Sequence, residues 1–332
     1  MTLLLATLAL AAEPVMPLVI GHRGAPGHLP DHTLEGYRLA VEQGADVIEP
    51  DLVPTKDGHL IARHENDLTH TTDIATHYPA RRTTKTVDGV QVSGWFAEDF
   101  TLAELDIVRA VQPYPERPHD HDGAYRIPTW AQVLDLRAEL SASAGRPIGV
   151  YPETKHPTYF RSLGLPLEEP LVAELTRHGL TSEDAPVWVQ SFEPGSLQRI
   201  AALAPVKRVQ LIGDPAESPF DGGPTYGELL SDLPALRTRV HGIGVHTSHL
   251  WPATGPNALL GQAHAAGLVV HVYTFRMEPH KLGHAAEGDG RTELRRFIEL
   301  GVDGLFADYP DVAAEVRRAV RAKESATPSA PK

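Results

Sequence analysis

The chain has 332 residues, enough for one α/β barrel or two smaller domains, and 42% hydrophobic with 22% charged residues reads as globular rather than disordered. A formal net charge of −13 argues against a nucleic-acid partner, which needs a Lys/Arg surface, yet leaves room for a small phosphate-bearing ligand in one cationic pocket. There is no cysteine, so disulfides, thiolate metal sites and cysteine nucleophiles are excluded.

The chain begins with an apolar run, Thr2 to Ala12 (TLLLATLALAA), ending in the small-residue triplet Ala9-Leu10-Ala11. It is too short for a membrane span and resembles the apolar region and cleavage site of a signal peptide, though no Lys or Arg precedes it. Residues 1–12 are expected to be such a leader, with an extracytoplasmic (periplasmic or secreted) location. No later segment is apolar enough to cross a bilayer, so no stable membrane insertion is expected.

Short apolar, β-branched runs then alternate with helical patterns. They are LVIG (18–21), DVIEPDLV (46–53), LIARH (60–64), IGVYPE (148–153), VWVQSF (187–192), RVQLI (208–212), GIGVH (242–246), VVHVYTF (269–275) and GLFA (304–307). Only six residues, with a turn-forming Asp57-Gly58, link the second run to the third. A parallel crossover needs about a dozen or more residues, so 60–64 reads as a return strand. The other eight form βα units, which predicts an α/β (β/α)8 TIM barrel over residues 17–320.

Helix starts are also legible. Thr101-x-x-Glu104 and Thr129-x-x-Gln132 have capping-box spacing, the latter ahead of apolar Trp130, Val133 and Leu134. Leu34, Tyr37 and Val41 share one helical face behind a cap at Asp31 or Thr33. Residues 66–127, rich in Thr, His, Asp and Pro, fit no βα unit and predict an insertion, a small subdomain or lid, on the active-site face. The tail 322–332 is expected to be disordered.

The chemistry concentrates at the C-terminal ends of the strands. Glu49 and Asp51 stand two apart, on one face of a strand that also carries Val47. Glu153 and Lys155 repeat that spacing after IGVY. Buried like charges are costly unless a cation neutralises them, and three carboxylates without a thiolate suit Ca²⁺ or Mg²⁺. Salt bridges rimming a barrel mouth are the alternative for any one of these residues alone. Gly21-His22-Arg23-Gly24 follows the first strand and offers a neutral-range acid/base beside a guanidinium fork for phosphate oxygens. His64 ends the return strand beside the carboxylate pair. Two histidines and a cation in one mouth suit phosphodiester hydrolysis, with one imidazole taking a proton from the nucleophile and the other protonating the leaving alkoxide.

The run GHRGAPGHLPDHTLEGYRLAVEQGADVIEPDLVPTKDGHLIARHE resembles the signature block of the glycerophosphodiester phosphodiesterase family, most closely its periplasmic, calcium-dependent bacterial branch. YPETK, VQSFE, HVYTFR and GVDGLFADYPD follow in the family's order, so the likeness covers about residues 18–315. The resemblance implies His22 and His64 as the acid/base pair and Glu49, Asp51 and Glu153 as ligands of one divalent cation. It implies Arg23 and Lys155 on the phosphate, and Tyr273 or Phe275 as an apolar wall against glycerol. Export and the family branch favour Ca²⁺ over Mg²⁺. Asp31, Glu65 and Met277 depart from the family pattern. At Asp31 only a local capping difference is expected, at Glu65 a change in how His64 is oriented, and Met277 puts a substrate contact there in doubt. The implied substrate is a small glycerophosphodiester. Rival readings on the same scaffold are a phospholipase D-like or teichoic-acid-cleaving enzyme, and a non-catalytic phosphodiester-binding surface protein. The alcohol moiety and the oligomeric state are left open.

Overall fold

The first strand, Leu18–His22, pairs in parallel with the second at Ile20↔Val47 and with the eighth at Leu18↔Gly304. A computed structural model describes residues 16–326, with side chains up to Lys323; the expected leader at 1–12 lies outside the described residues. The second strand is broken at Pro50 into Val47–Glu49 and Asp51–Pro54, the third at Tyr151-Pro152 into Gly149–Val150 and Glu153–Thr154. Proline has no N–H for the ladder, so each break includes a residue that cannot donate. Both halves stay paired, at Val47↔Gly149 and Asp51↔Glu153. The parallel order continues through Trp188–Ser191, Lys207–Ile212, Gly242–His246, Val269–Phe275 and Gly304–Ala307, and so returns to the first strand. The sheet closes on itself as the expected (β/α)8 barrel.

Leu60–Ala62 runs antiparallel to Asp51–Pro54, with Leu52 opposite Ala62, as the Asp57-Gly58 turn implies. The two faces of each barrel strand are sorted by parity. Ile20, Val47, Tyr151, Val209 and Phe306 fill the barrel interior, with Trp188 and Tyr273 packed on them. Their neighbours Ile48 and Val150 face outward and share a second cluster with Trp130, Val133 and Leu134 of helix Trp130–Ala144. An imidazole within this floor, that of His271, is satisfied there by the Tyr151 hydroxyl at 2.8 Å, and the charged groups gather at the C-terminal mouth of the barrel.

Both expected capping boxes are formed, at Thr101/Glu104 and Thr129/Gln132. Thr33, not Asp31, caps helix Leu34–Glu42, accepting from the Gly36 N–H. The segment expected as an insertion contains a hairpin, Thr83–Val87 with Val90–Gly94, turning at Asp88-Gly89, where both residues have positive φ. At the other end, helix Pro310–Ala326 extends into the tail expected to be disordered from 322. Ala322, Lys323 and Glu324 are strong helix formers and prolong the helix past Val320, the last buried side chain among the described residues. Residues 327–332 lie outside the described residues.

The box at Thr129 anchors the helix that covers the second and third strands. Thr129→Ala is expected to lower stability by about 1 kcal/mol, seen as a lower urea midpoint at unchanged slope.

Candidate active site

The chain leaves the first strand at His22 and turns at once. Arg23 adopts a left-handed conformation (φ 56°), and its N–H donates to Glu49 Oε2 at 2.8 Å. Gly24 (φ 96°) must be glycine, since a Cβ there would meet the Gly36 carbonyl carbon at 2.8 Å. The turn thus delivers a backbone donor to a carboxylate of the next strand and leaves the Arg23 side chain in the mouth.

Register then sets the acids side by side. Glu49 pairs with His22 across the first two strands, Asp51 with Glu153 across the second and third, and Glu153 with Gln190 on the fourth. All three carboxylates are buried, with oxygens within 4.8 Å of one another. Gln190 Nε2 donates to Glu49 Oε1 at 2.8 Å, and Lys155 Nζ donates to Glu153 Oε1 at 3.0 Å. Burial, then the charges of Asp51 and Glu153, push Glu49 well above the usual carboxylate range. Burial likewise lifts Glu153 to about 8, against the pull of Lys155. Asp51 meets the same burial, but its bond from His32 Nε2 (2.9 Å) and the nearby His64 and Lys155 hold it low, so it carries the charge. Asp51 Oδ1 and Gln190 Oε1 remain buried acceptors without a donor. An all-oxygen, anionic donor set with acceptors to spare fits a hard divalent cation.

Each candidate histidine is backed by a carboxylate. His22 Nδ1 lies 2.6 Å from Asp308 Oδ1, and His64 Nδ1 lies 2.8 Å from Glu65 Oε1. With Nδ1–H donated to the carboxylate, Nε2 of each ring is left to exchange a proton. Burial and the neighbouring Arg23 lower His22 to about 4, while Asp308 opposes them. Burial, Arg23 and Lys155 lower His64 to about 3. Both rings are therefore neutral before a substrate anion arrives. Burial alone would raise Asp308, yet His22, Arg276 and Arg117 hold it well below the usual range.

His22, Arg23, Glu49, His64 and Glu153 line one cleft of about 230 Å³, together with Gln190, Phe192, His246, Tyr273 and Arg276. Lys155 lies between the acids and His64, its Nζ 3.4 Å from His64 Nε2. Tyr273 lines the cleft as expected, but Phe275 does not. Its ring packs edge-on against Phe297 of an outer helix, 5.2 Å between centroids. The reason is a bulge: Val272 pairs with Leu305 but Phe275 with Ala307, so three steps on the seventh strand match two on the eighth. The extra residue flips Phe275 to the outer face.

The three departures from the family pattern also resolve. Asp31 is no cap; it is buried between Arg23 Nη1 (3.5 Å) and Arg63 Nη1 (3.6 Å). Glu65 buttresses His64 and also meets His156 Nε2 at 2.9 Å. Met277 packs with the outer cluster rather than in the cleft. Sequence reasoning passed over Asp308, Gln190 and Arg276. Asp308 had a visible signal, an acid one step past GLFA at a strand's C-terminal end. His32, which no spacing in the sequence singles out, is a buried bridge from Tyr37 to Asp51.

With this geometry in place, residues 22–312 match the model of the Glycerophosphoryl diester phosphodiesterase family. The chain belongs to that family. A glycerophosphodiester phosphodiesterase of Arabidopsis thaliana is 34% identical over 315 residues, covering 88% of this chain and 84% of the relative. One from Bacillus subtilis is 30% identical over 315 residues, covering 92% and 88%. The fold is shared with an Oleispira antarctica phosphodiesterase solved in complex with the product sn-glycerol-3-phosphate, at TM-score 0.60 and 21% identity, covering 91% of this chain and 96% of that one. The match includes every carboxylate and imidazole of the cleft.

Two outcomes follow from the site. In the metal-free fold Glu153 keeps its proton up to about pH 8, whereas the unfolded chain loses it near its ordinary 4.5. The folded state binds the extra proton between these values, while His22 and His64, neutral in the fold but protonated below about 6.5 in the unfolded chain, act in the opposite sense. The fall in metal-free stability with rising pH is therefore expected between about 6.5 and about 8. Denaturation across pH should show this slope with EDTA and its reduction with a saturating divalent cation; a flat metal-free profile would contradict the assignment. Phe275→Ala should cost about 3–5 kcal/mol of stability and leave KM of the folded enzyme unchanged, whereas Tyr273→Ala should raise KM.

Proposed function

We propose that the protein hydrolyses glycerophosphodiesters to sn-glycerol 3-phosphate and an alcohol, with His22 and His64 as the acid/base pair. The observation that carries this reading is the cleft itself: two neutral imidazoles, each with Nδ1 beside a carboxylate, share it with Arg23 and with Glu49 and Glu153, whose oxygens lie within 4.8 Å of a buried Asp51 oxygen. The product bound by the Oleispira antarctica relative, and the names of the Arabidopsis thaliana and Bacillus subtilis proteins, support the same chemistry.

Glu49, Asp51 and Glu153 would hold one divalent cation, which neutralises their charge and withdraws electron density from the phosphoryl oxygens. Arg23 and Lys155 orient and counter the charge of the phosphodiester, with Tyr273 flanking the glycerol. One imidazole Nε2 takes the proton of the attacking oxygen as a new P–O bond forms. The other gives its proton to the departing alcohol oxygen as the old P–O bond breaks. The anionic diester raises the histidines it approaches, which lets the acid member carry a proton at working pH. Attack by water or by the substrate's own 2-hydroxyl satisfies the same proton inventory. We assign calcium to the cation site, on the all-oxygen ligands and the expected extracytoplasmic location.

The test is release of glycerol 3-phosphate from glycerophosphocholine by wild type and His22→Ala, each with EDTA, Ca²⁺ or Mg²⁺. Cation-dependent turnover, faster with Ca²⁺, that falls by about 10²-fold or more in the variant is expected. Turnover on lysolipid or polymeric glycerophosphate alone would transfer the assignment to the phospholipase D-like or polymer-cleaving reading. Unimpaired turnover in EDTA would remove the cation from the chemistry.

A further inference from the structure

The stretch between the return strand and helix Trp130–Ala144 sends one side chain deep into the barrel mouth. Arg117 is 3% exposed. Its Nε donates to Glu278 Oε1 at 2.6 Å and its Nη2 donates to Asp308 Oδ2 at 2.6 Å. The guanidinium lies 4.3 Å from the centroid of the Tyr114 ring, and the Tyr309 hydroxyl donates to the same Glu278 oxygen at 2.8 Å. Asp308 Oδ2 is shared with Arg276 Nε at 3.0 Å, which leaves Oδ1 for His22 Nδ1.

A carboxylate held by one contact can rotate and offer either oxygen to its partner. Two guanidinium donors on Oδ2 remove that freedom, and the paired fork is a geometry that lysine cannot reproduce. The orientation of Asp308 then dictates both the plane of the His22 ring and the nitrogen that carries its proton. Glu278 keeps Arg117 in place, because a buried guanidinium beside a single carboxylate would be left half-satisfied.

We propose that Arg117 is a positioning residue for the phosphodiesterase reaction: by clamping Asp308 it fixes the His22 ring and leaves Nε2 facing the cleft. The segment 66–127 thereby completes a reaction centre whose other parts come from the barrel and its return strand. This inference rests on the reading of His22 as an acid/base group. A tie that merely fastens the segment to the barrel would use the same hydrogen bonds, so the experiment must separate the two.

With saturating cation and glycerophosphocholine as substrate, kcat and KM are measured for wild type, Arg117→Ala, Arg117→Lys, Asp308→Asn and the Arg117→Ala/Asp308→Asn pair. Arg81→Ala is the structural control, since Arg81 holds Glu104 at 2.7 Å within the same segment and does not line the cleft. Arg117→Ala should lose about 10- to 100-fold in kcat with little change in KM, as for other partners that orient a working side chain. Arg117→Lys should recover part of it, Arg81→Ala should match wild type, and Arg117→Ala should add nothing once Asp308 is Asn. Should Arg117→Ala not fold by circular dichroism, Arg117→Gln, whose amide ends at the level of arginine Nε and falls short of the Nη2 that reaches Asp308, takes its place in the cycle. Wild-type kcat in the folded variant, an equal loss in Arg81→Ala, or losses that multiply in the pair would overturn the assignment while wild-type turnover leaves the functional reading standing. Absence of wild-type turnover would overturn both.

Discussion

Glu49, Asp51 and Glu153 meet within 4.8 Å in a buried mouth, and each ionised pair at that separation repels by about 3–4 kcal/mol at an effective dielectric of about 20. The metal-free fold tolerates this by leaving one charge on Asp51 and protons on its neighbours. Everything around the acids manages that repulsion. His32 and the Arg23 backbone N–H spend their donors on it, Lys155 stands beside Glu153, and Gln190 covers one oxygen of Glu49. A cluster so strained when fully ionised is poised to exchange protons for a cation.

The barrel supplies the accuracy. Its interior is packed with Ile20, Val47, Tyr151, Val209 and Phe306, so the strands carrying His22, the acids and Gln190 cannot slide past one another without breaking that floor. A shift of one residue would turn Glu49 and Asp51 outward among Ile48 and Leu52. The two imidazoles are supported differently. His22 sits on a barrel strand and takes its partner from the strand beside it, whereas His64 lies past the return strand. Its partner Glu65 is tied through His156 to Asp88 at the hairpin tip.

Much of this was legible in residue order. The Asp57-Gly58 turn identified the return strand, period-two spacing put Glu49 and Asp51 on one face, and the Thr129 and Thr101 boxes marked helix starts. These are local signals, and the structure realises each locally. The misses involve partners far apart in sequence. Asp308 reaches His22 across 286 positions and Gln190 reaches Glu49 across 141, and no spacing rule connects such pairs. The hairpin at Asp88-Gly89 was available as a turn signal but lay inside a stretch whose His- and Pro-rich composition hid its alternation. Asp31 illustrates the opposite error: a residue type that favours caps was instead buried between two arginines.

The bulge on the seventh strand has a chemical result as well as a packing one. Strict alternation from Tyr273 would send Phe275 inward and Arg276 outward. One added residue reverses both, so a phenyl ring joins the outer helix layer and a guanidinium enters the cleft beside Asp308. The cationic character of that wall is therefore encoded in backbone phase, not in which residues are present. The same residues paired in strict alternation, with no bulge between Val272 and Phe275, would present an oily wall where this one presents a charge.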